Sequence, residues 1–230
     1  MGGAIRFFQQ EKYVLLIVGL ILCTANIGGI SIYILDEAKN AACAREMWEQ
    51  NEWIVPTYNY NLRTDKPPLH YYFMGLAYQL LGVSPFAARL FSAVFGVLTT
   101  LIIYFYTKKH LNQKTAFLAS LGLLSSIHFV LQFHLAVPDP YLIFFMTLSI
   151  LAFFTGIQEK KSNQLYVGYA AVALAALAKG IVAIGLVGLI MLLYLIASRR
   201  LTWQQLGQLR LLRGGLLFLL IAVPWYVAEI

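Results

Sequence analysis

Charge is scarce in this chain. Only 12% of its 230 residues are Asp, Glu, Lys or Arg, about half of what a soluble domain uses to cover its surface. Apolar residues make up 60% and the mean hydropathy is +0.72. Those values exclude a free-standing soluble domain and read as an integral membrane protein. Cysteine is nearly absent. Cys23 lies in the first apolar run and Cys43 in the loop after it, which gives neither a disulfide framework nor a metal-ligand spacing. There is no glycine-rich phosphate loop, so no nucleotide cofactor is expected. Repeats, low-complexity segments and Pro/Gly/Ser linkers are also missing. The net charge of +7 does not indicate a nucleic-acid partner, because the basic residues are spread over short loops rather than gathered in a patch.

What the chain has is long apolar runs. They cover residues 13–35, 84–107, 115–134, 138–157, 165–178, 181–197 and 214–230. Each approaches the ~20 residues a helix needs to cross ~30 Å of hydrocarbon. Backbone groups in lipid must be satisfied internally, so the runs are predicted to be helices. The expected fold is all-α and polytopic, with about seven transmembrane helices forming one transmembrane domain over 1–230. The first run is too long for a signal-peptide core and lacks a small-residue cleavage site, so it reads as a retained anchor. Lys179-Gly180 separates two runs and predicts a tight turn, with Gly180 free to take positive φ.

The basic residues set an orientation. With the N-terminus cytoplasmic and seven alternating spans, the inner segments hold 11 of the 17 basic residues and only Glu11 and Glu159 of the 10 acids. That is the positive-inside arrangement. Residues 36–82 then form an outer loop. Its first part, 36–50, is rich in good helix formers. It is predicted as an amphipathic interfacial helix, with Ala38, Ala41, Cys43/Ala44 and Trp48 on the apolar side and Glu46 and Glu49 on another face. Residues 51–64 read as polar, aromatic and irregular. Residues 69–81 are too short to span and read as a second interfacial or re-entrant helix, with Tyr71 and Tyr72 at headgroup level. The last residues fall at the outer end of a span, so a longer natural chain is expected.

Ionisable groups at a membrane face are costly to desolvate and mark candidate sites. Asp36 and Glu37 follow the first run directly. Asp36 reads either as a helix N-cap or as a carboxylate that accepts a proton from a hydroxyl or holds a cation. Glu37 suits a helix N-terminus. Asp65-Lys66 closes the loop ahead of the stiff Pro67-Pro68 pair. It is either a solvated ion pair or a site in which Lys66 meets a lipid phosphate and Asp65 orients it or binds a metal. Asp139, between Pro138 and Pro140, is a helix-start residue or a further site member. Arg89 either snorkels or binds phosphate, Lys179 is placed for anion contact, and His134 is a weaker candidate.

Several motifs together carry a resemblance. They are Asp36-Glu37-Ala38, Lys66-Pro67-Pro68-Leu69-His70-Tyr71, Phe86-Ala87-Ala88-Arg89-Leu90, Val137-Pro138-Asp139-Pro140, Ala178-Lys179-Gly180 and Pro224-Trp225-Tyr226. In this order they resemble the GT-C glycosyltransferases related to the lipid A aminoarabinose transferase and the dolichyl-phosphate-mannose protein mannosyltransferases. The resemblance runs from the first span to the last residue. It implies transfer of a sugar, with inversion, from a polyprenyl-phosphate carrier to a lipid or protein acceptor on the outer face of the plasma (inner) membrane. It implies Asp36 as the catalytic base. Asp65 and Lys66 would serve a divalent-metal or carrier-phosphate site, and Asp139 would line the cavity. With Glu37, Arg89 and Tyr71, Lys66 and Asp139 form the expected substrate and carrier-phosphate set. Two departures leave the sugar and acceptor open. Lys39-Asn40 stands where the aminoarabinose branch has Arg-Tyr, and Asp65 stands where Glu is common. Further spans and an outer C-terminal domain, usual in the family, are expected beyond this chain or in a partner. Two other readings are a lipid-linked-sugar transporter and a non-catalytic carrier-binding subunit. Acids at the outer rim rather than mid-span favour surface chemistry.

Overall fold

The computed structural model describes residues 2–32 and 35–229, with side chains described for all of these except 2–9, 203 and 204. The described residues form eleven helices and one small hairpin. In chain order they are α1 (Gly2–Thr24), α2 (Leu35–Gln50), β1 (Thr57–Tyr58), β2 (Asn61–Leu62), α3 (Leu69–Leu81), α4 (Pro85–His110), α5 (Gln113–Ser125), α6 (Ile127–Gln132), α7 (Asp139–Gln158), α8 (Ser162–Lys179), α9 (Ile181–Ala197), α10 (Trp203–Gln208) and α11 (Leu211–Ala228). Among the described residues, α4, α7 and α11 are long and apolar enough to cross a membrane, while α9 is apolar but shorter.

Helix boundaries follow local chemistry. At the start of α4 the Ser84 hydroxyl accepts the Ala87 N–H at 3.2 Å and Pro85 sits in the first turn, a standard N-terminal pairing. Its last turn carries Lys108, Lys109 and His110, which complement the negative end of the helix dipole. The expected span over 13–35 is not one helix. After Thr24 the chain turns, with Asn26 in the left-handed region at φ 58°, a conformation Asn tolerates better than most residues. The run expected at 115–134 is broken as well. Ser126 is extended, and its hydroxyl accepts from the Phe129 N–H, so a new cap splits the run into α5 and α6. The turn at Gly180 is as expected, with φ 69° and ψ −149°, a region that L side chains avoid.

α7 and α8 form an antiparallel hairpin at the centre. A side chain at Gly168 would meet the Phe153 ring at 2.9 Å, so glycine sets how closely these two helices approach. An aromatic cluster of Phe73, Phe95, Tyr141, Phe144 and Phe145 joins α3, α4 and α7, with ring centroids about 5 Å apart. Such pairs contribute roughly 0.5–1.5 kcal/mol each beyond their buried area. α3, expected as an interfacial or re-entrant helix, buries one face in the protein and leaves Leu76, Leu80 and Leu81 exposed. Tyr71, Met74, Ala77 and Tyr78 are buried against Ala41, Cys43, Ala44 and Met47 of α2 and Ala87 and Ala88 of α4. The Tyr78 hydroxyl donates to the Ala41 carbonyl.

Residues 51–64, expected to be irregular, contain the β1–β2 hairpin with register Thr57↔Leu62 and Tyr58↔Asn61. Its two loop residues, Asn59 and Tyr60, both have positive φ, 51° and 60°. That is the type I′ geometry of a tight hairpin, and Tyr60 is a costly residue to place there. Glu46 offsets the cost. Its carboxylate accepts from the Thr57 hydroxyl at 2.6 Å and from the Asn59 and Tyr60 N–H groups at 2.9 and 3.1 Å. Glu46 is therefore buried rather than on the polar face expected of it, whereas Trp48, expected on the apolar face, is 36% exposed.

Candidate active site

Asp36 and Glu37 are the first-turn acids of α2, but their surroundings differ. Glu37 is fully buried and Arg89 is 4% exposed. Arg89 Nε and Nη2 donate to the two Glu37 oxygens at 2.7 and 2.8 Å, the bidentate fork that guanidinium chemistry allows. Arg89 Nη1 donates to the carbonyls of Ile27 and Ile30 at 2.7 Å each. Glu37 also accepts the Ala136 N–H at 2.8 Å. One buried pair thus ties the turn after α1, the start of α2, the second turn of α4 and the turn before α7. Glu37 and Arg89, expected as phosphate contacts, are here buried and hydrogen-bonded to protein groups.

Asp36, one residue earlier, points the other way. Its side chain is 50% exposed and pairs directly with Lys66, whose side chain is 21% exposed. This brings together residues 30 apart in sequence. Asp65 does not orient Lys66. It is held by Arg63, with Nε donating to Oδ1 at 2.7 Å. Arg63 Nη1 also reaches Cys43 Sγ at 3.2 Å. Pro67 and Pro68 then launch α3, with Pro68 at its N-cap.

Behind this loop the side chains are dry. Tyr71, expected at headgroup level and as a substrate contact, is completely buried. Burial, followed by nearby Cys43, pushes its phenol well above the ordinary range. His70 is also fully buried. Burial first, then the positive charges of Lys66 and Arg63, hold its imidazole well below the ordinary value of 6.5. Burial raises the Cys43 thiol, with the Arg63 contact opposing that effect.

A second ion pair lies at the same end of the helices. Lys179, in the last turn of α8, pairs with Asp139, in the first turn of α7, at 2.5 Å. Both are partly exposed, 42% and 32%. Next to it, a cleft of about 540 Å³ is lined by Thr64, Asp65, Pro67, Lys179, Tyr226 and Glu229, among others. Trp225 Nε1 donates to the Ile54 carbonyl at 2.8 Å and holds the end of α11 against the outer loop. Burial raises the Glu229 carboxyl. Sequence reasoning did not single out Glu46 or Glu229, since nothing local distinguishes them from solvated acids. His134 is turned away from the site, its Nε2 2.8 Å from the Leu22 carbonyl. Among the described residues no group of three or more His, Cys, Asp or Glu is placed to hold a metal ion; Asp65 is paired with Arg63 chiefly through one carboxylate oxygen and is otherwise exposed.

A solvent-exposed carboxylate–lysine pair beside a buried Glu–Arg fork, on a bundle of apolar helices, is the arrangement of an integral membrane protein with a polar surface at one end of its helices. The comparisons give the family. Residues 65–227 match the dolichyl-phosphate-mannose-protein mannosyltransferase family, and the chain belongs to it. It is 34% identical over 198 residues to an uncharacterized protein of Aquifex aeolicus (strain VF5), covering 86% of this chain and 44% of that one. It is 29% identical over 201 residues to the undecaprenyl phosphate-alpha-4-amino-4-deoxy-L-arabinose arabinosyl transferase of Edwardsiella ictaluri (strain 93-146), covering 84% of this chain and 35% of the relative. Among solved structures it is similar to ArnT from Cupriavidus metallidurans bound to undecaprenyl phosphate. The TM-score is 0.82 and the identity 25%, covering 99% of this chain and 41% of that one. The apo form of the same protein gives a TM-score of 0.85. The chain therefore spans less than half the length of these relatives.

Proposed function

We propose that this chain carries the catalytic carboxylate of a membrane glycosyltransferase that moves a sugar from a polyprenyl-phosphate carrier to a lipid or protein acceptor. The site faces the outer side of the plasma (inner) membrane, with the N-terminus cytoplasmic. Family membership and the likeness to arabinosyl transferases support the reaction class. The observation that carries the residue assignment is the Asp36–Lys66 pair, which is open to solvent beside a fully buried scaffold.

The chemistry follows from that pair. Asp36 accepts the proton of the acceptor hydroxyl as its oxygen attacks the anomeric carbon. The bond from that carbon to the carrier phosphate breaks, and the phosphate leaves with the electron pair. Attack opposite the leaving group inverts the anomeric centre. Lys66 meets the charge that grows on the phosphate. In the resting pair each residue neutralises the other; an arriving phosphate takes Lys66 and frees Asp36 for the hydroxyl. Lys179, paired with Asp139 and lining the cleft beside Asp65 and Pro67, is a second cation at this end of the helices. Glu37 and Arg89 act as positioning residues that fix the start of α2, and so the place of Asp36. Asp65 positions Arg63 chiefly through Oδ1 and leaves its exposed Oδ2 side open to a divalent cation.

The test is transfer of a radiolabelled sugar from a polyprenyl-phosphate donor by the protein as the cell makes it, with Asp36→Asn alongside wild type. Loss of transfer with carrier binding kept is expected. Undiminished transfer would remove Asp36 from the chemistry.

A further inference from the structure

The far end of the bundle carries a second polar feature that the proposed reaction does not use. α7, α8 and α11 run side by side. Their one end is marked by Asp139, Lys179 and Tyr226, where the Tyr226 hydroxyl donates to the Ala176 carbonyl. At the other end the Tyr169 hydroxyl donates to the Leu209 carbonyl at 3.1 Å. There a cleft of about 890 Å³ opens between the α7–α8 turn and the α10–α11 turn. The 18 residues of α8 separate the two ends by roughly 27 Å, about the thickness of a bilayer core.

Three cations line this cleft: Lys160, Arg210 and Arg213. No hydrogen bond or ion pair joins any of their side chains to another described residue. The neighbouring Lys161, by contrast, is held by Glu159 at 2.7 Å. Arg210 is also the N-cap of α11, and no side chain caps that helix start. Its first N–H groups, on the cleft-lining residues Leu211, Leu212 and Arg213, therefore lack intrahelical acceptors. Three free cations and a bare helix start are a strong demand for a phosphate.

The floor of the cleft is different. Through Ile157, Leu209 and Leu211 it continues into an apolar pocket of about 280 Å³ between α7, α8, α9 and α11. This pocket is lined by Phe153, Val187, Met191 and Phe218, among others. The backbone at Gly188 and Gly215 leaves open space there. A charged mouth above an apolar slot fits an amphiphile rather than a free anion. Basic pockets between membrane helices recognise anionic headgroups in this way.

We infer that this cleft and slot form a binding site for an anionic phospholipid of the leaflet opposite the Asp36 site, its phosphate held by Lys160, Arg210 and Arg213 and one acyl chain lying in the slot. The inference is independent of the glycosyl-transfer reading, since lipid retention is measured without turnover.

The experiment is native mass spectrometry of the full natural protein released from nanodiscs of mixed phosphatidylglycerol and phosphatidylcholine. Wild type is expected to retain phosphatidylglycerol selectively. Arg210→Ala/Arg213→Ala should lower that retention about tenfold, in line with the loss of one to two charge-assisted contacts. Gly215→Phe, which fills the slot without touching a charge, should lower retention of the lipid while the thermal unfolding midpoint stays near that of wild type. Lys12→Ala/Lys114→Ala, which removes basic residues outside the cleft, should leave retention unchanged. Equal retention in wild type and both cleft variants would overturn the site. So would an equal loss in the Lys12/Lys114 variant, which would mean general surface charge. In a second set of nanodiscs that also carries a polyprenyl phosphate, selective retention of that lipid over phosphatidylglycerol, lost in the Arg210/Arg213 variant, would overturn the proposal and assign the cleft to the carrier.

Discussion

Asp36 and Glu37 are neighbours in sequence, yet they end in opposite environments. Glu37 is locked in a dry, five-bonded knot with Arg89, two carbonyls and the Ala136 N–H. Asp36 is half exposed and shares one contact with Lys66. The difference separates structure from chemistry. A pair that is buried and fully satisfied can hold a backbone in place, but it cannot exchange partners. A pair at the surface contributes little to stability, about 0–1 kcal/mol, and is free to be broken by a substrate. The buried pair makes the open one useful, because it fixes the helix turn from which Asp36 projects.

The sharpest way to break this comparison is to neutralise each carboxylate in turn. Asp36→Asn should lower sugar transfer by about 10²–10⁴-fold, the range of a general base, with an unchanged unfolding midpoint. If the midpoint falls as far as the rate, Asp36 is structural and the contrast with Glu37 disappears. Arg89→Ala should do the reverse at the level of the fold. It leaves Glu37 buried without its partner, a loss of about 3–5 kcal/mol, which chemical denaturation in detergent would read. Restoring much of that stability with Glu37→Gln on the Arg89→Ala background would show that the penalty comes from the stranded charge. A smaller effect is expected from Lys66→Ala. Losing one charge-assisted contact should weaken polyprenyl-phosphate binding by about 10–100-fold while the fold stays intact. Carrier affinity equal to that of wild type would detach Lys66 from the phosphate.

How much of this was legible in the sequence depended on how local each cause is. The start of α3 after Pro67-Pro68 and the turn at Gly180 were legible because the deciding residue sits at the boundary itself. The end of α1 was not, because apolar residues continue past Thr24 and hydropathy does not register the left-handed Asn26. Ser126 likewise looks innocuous inside an apolar run, though its cap splits α5 from α6. Asp65-Lys66 misled for a geometric reason. The chain bends at these two residues, so Asp65 folds back onto Arg63, two residues earlier, while Lys66 reaches Asp36. The membrane character and the acids that gather at one end were legible from composition and order. The burial of Glu37, Arg89 and Glu46 was not, because Glu37 and Arg89 lie 52 residues apart and Glu46 is enclosed by a hairpin 11 to 14 residues further on.

His70 offers the finest test of how dry the region behind the open pair is. The imidazole is fully buried, and burial with the nearby positive charges of Lys66 and Arg63 keeps it neutral well below pH 6.5. In the unfolded chain it protonates near its ordinary value. Between that value and the lower one of the fold, the unfolded state binds more protons. Stability from this group is therefore fully present above about pH 6.5 and falls as the pH drops below it. The expected slope approaches about 1.4 kcal/mol per pH unit for one proton. His70→Asn should flatten the dependence of unfolding free energy on pH between about 6.5 and 5, even if it lowers stability at neutral pH through lost packing against Tyr71. The same slope in variant and wild type would mean that another group titrates there and that water reaches His70. Lys66→Ala should lessen the depression of the His70 value, since one of the repelling charges is gone, and an NMR titration of the imidazole would read that change directly. An upward shift on removing Lys66 would tie the dry scaffold and the exposed pair together through a single residue.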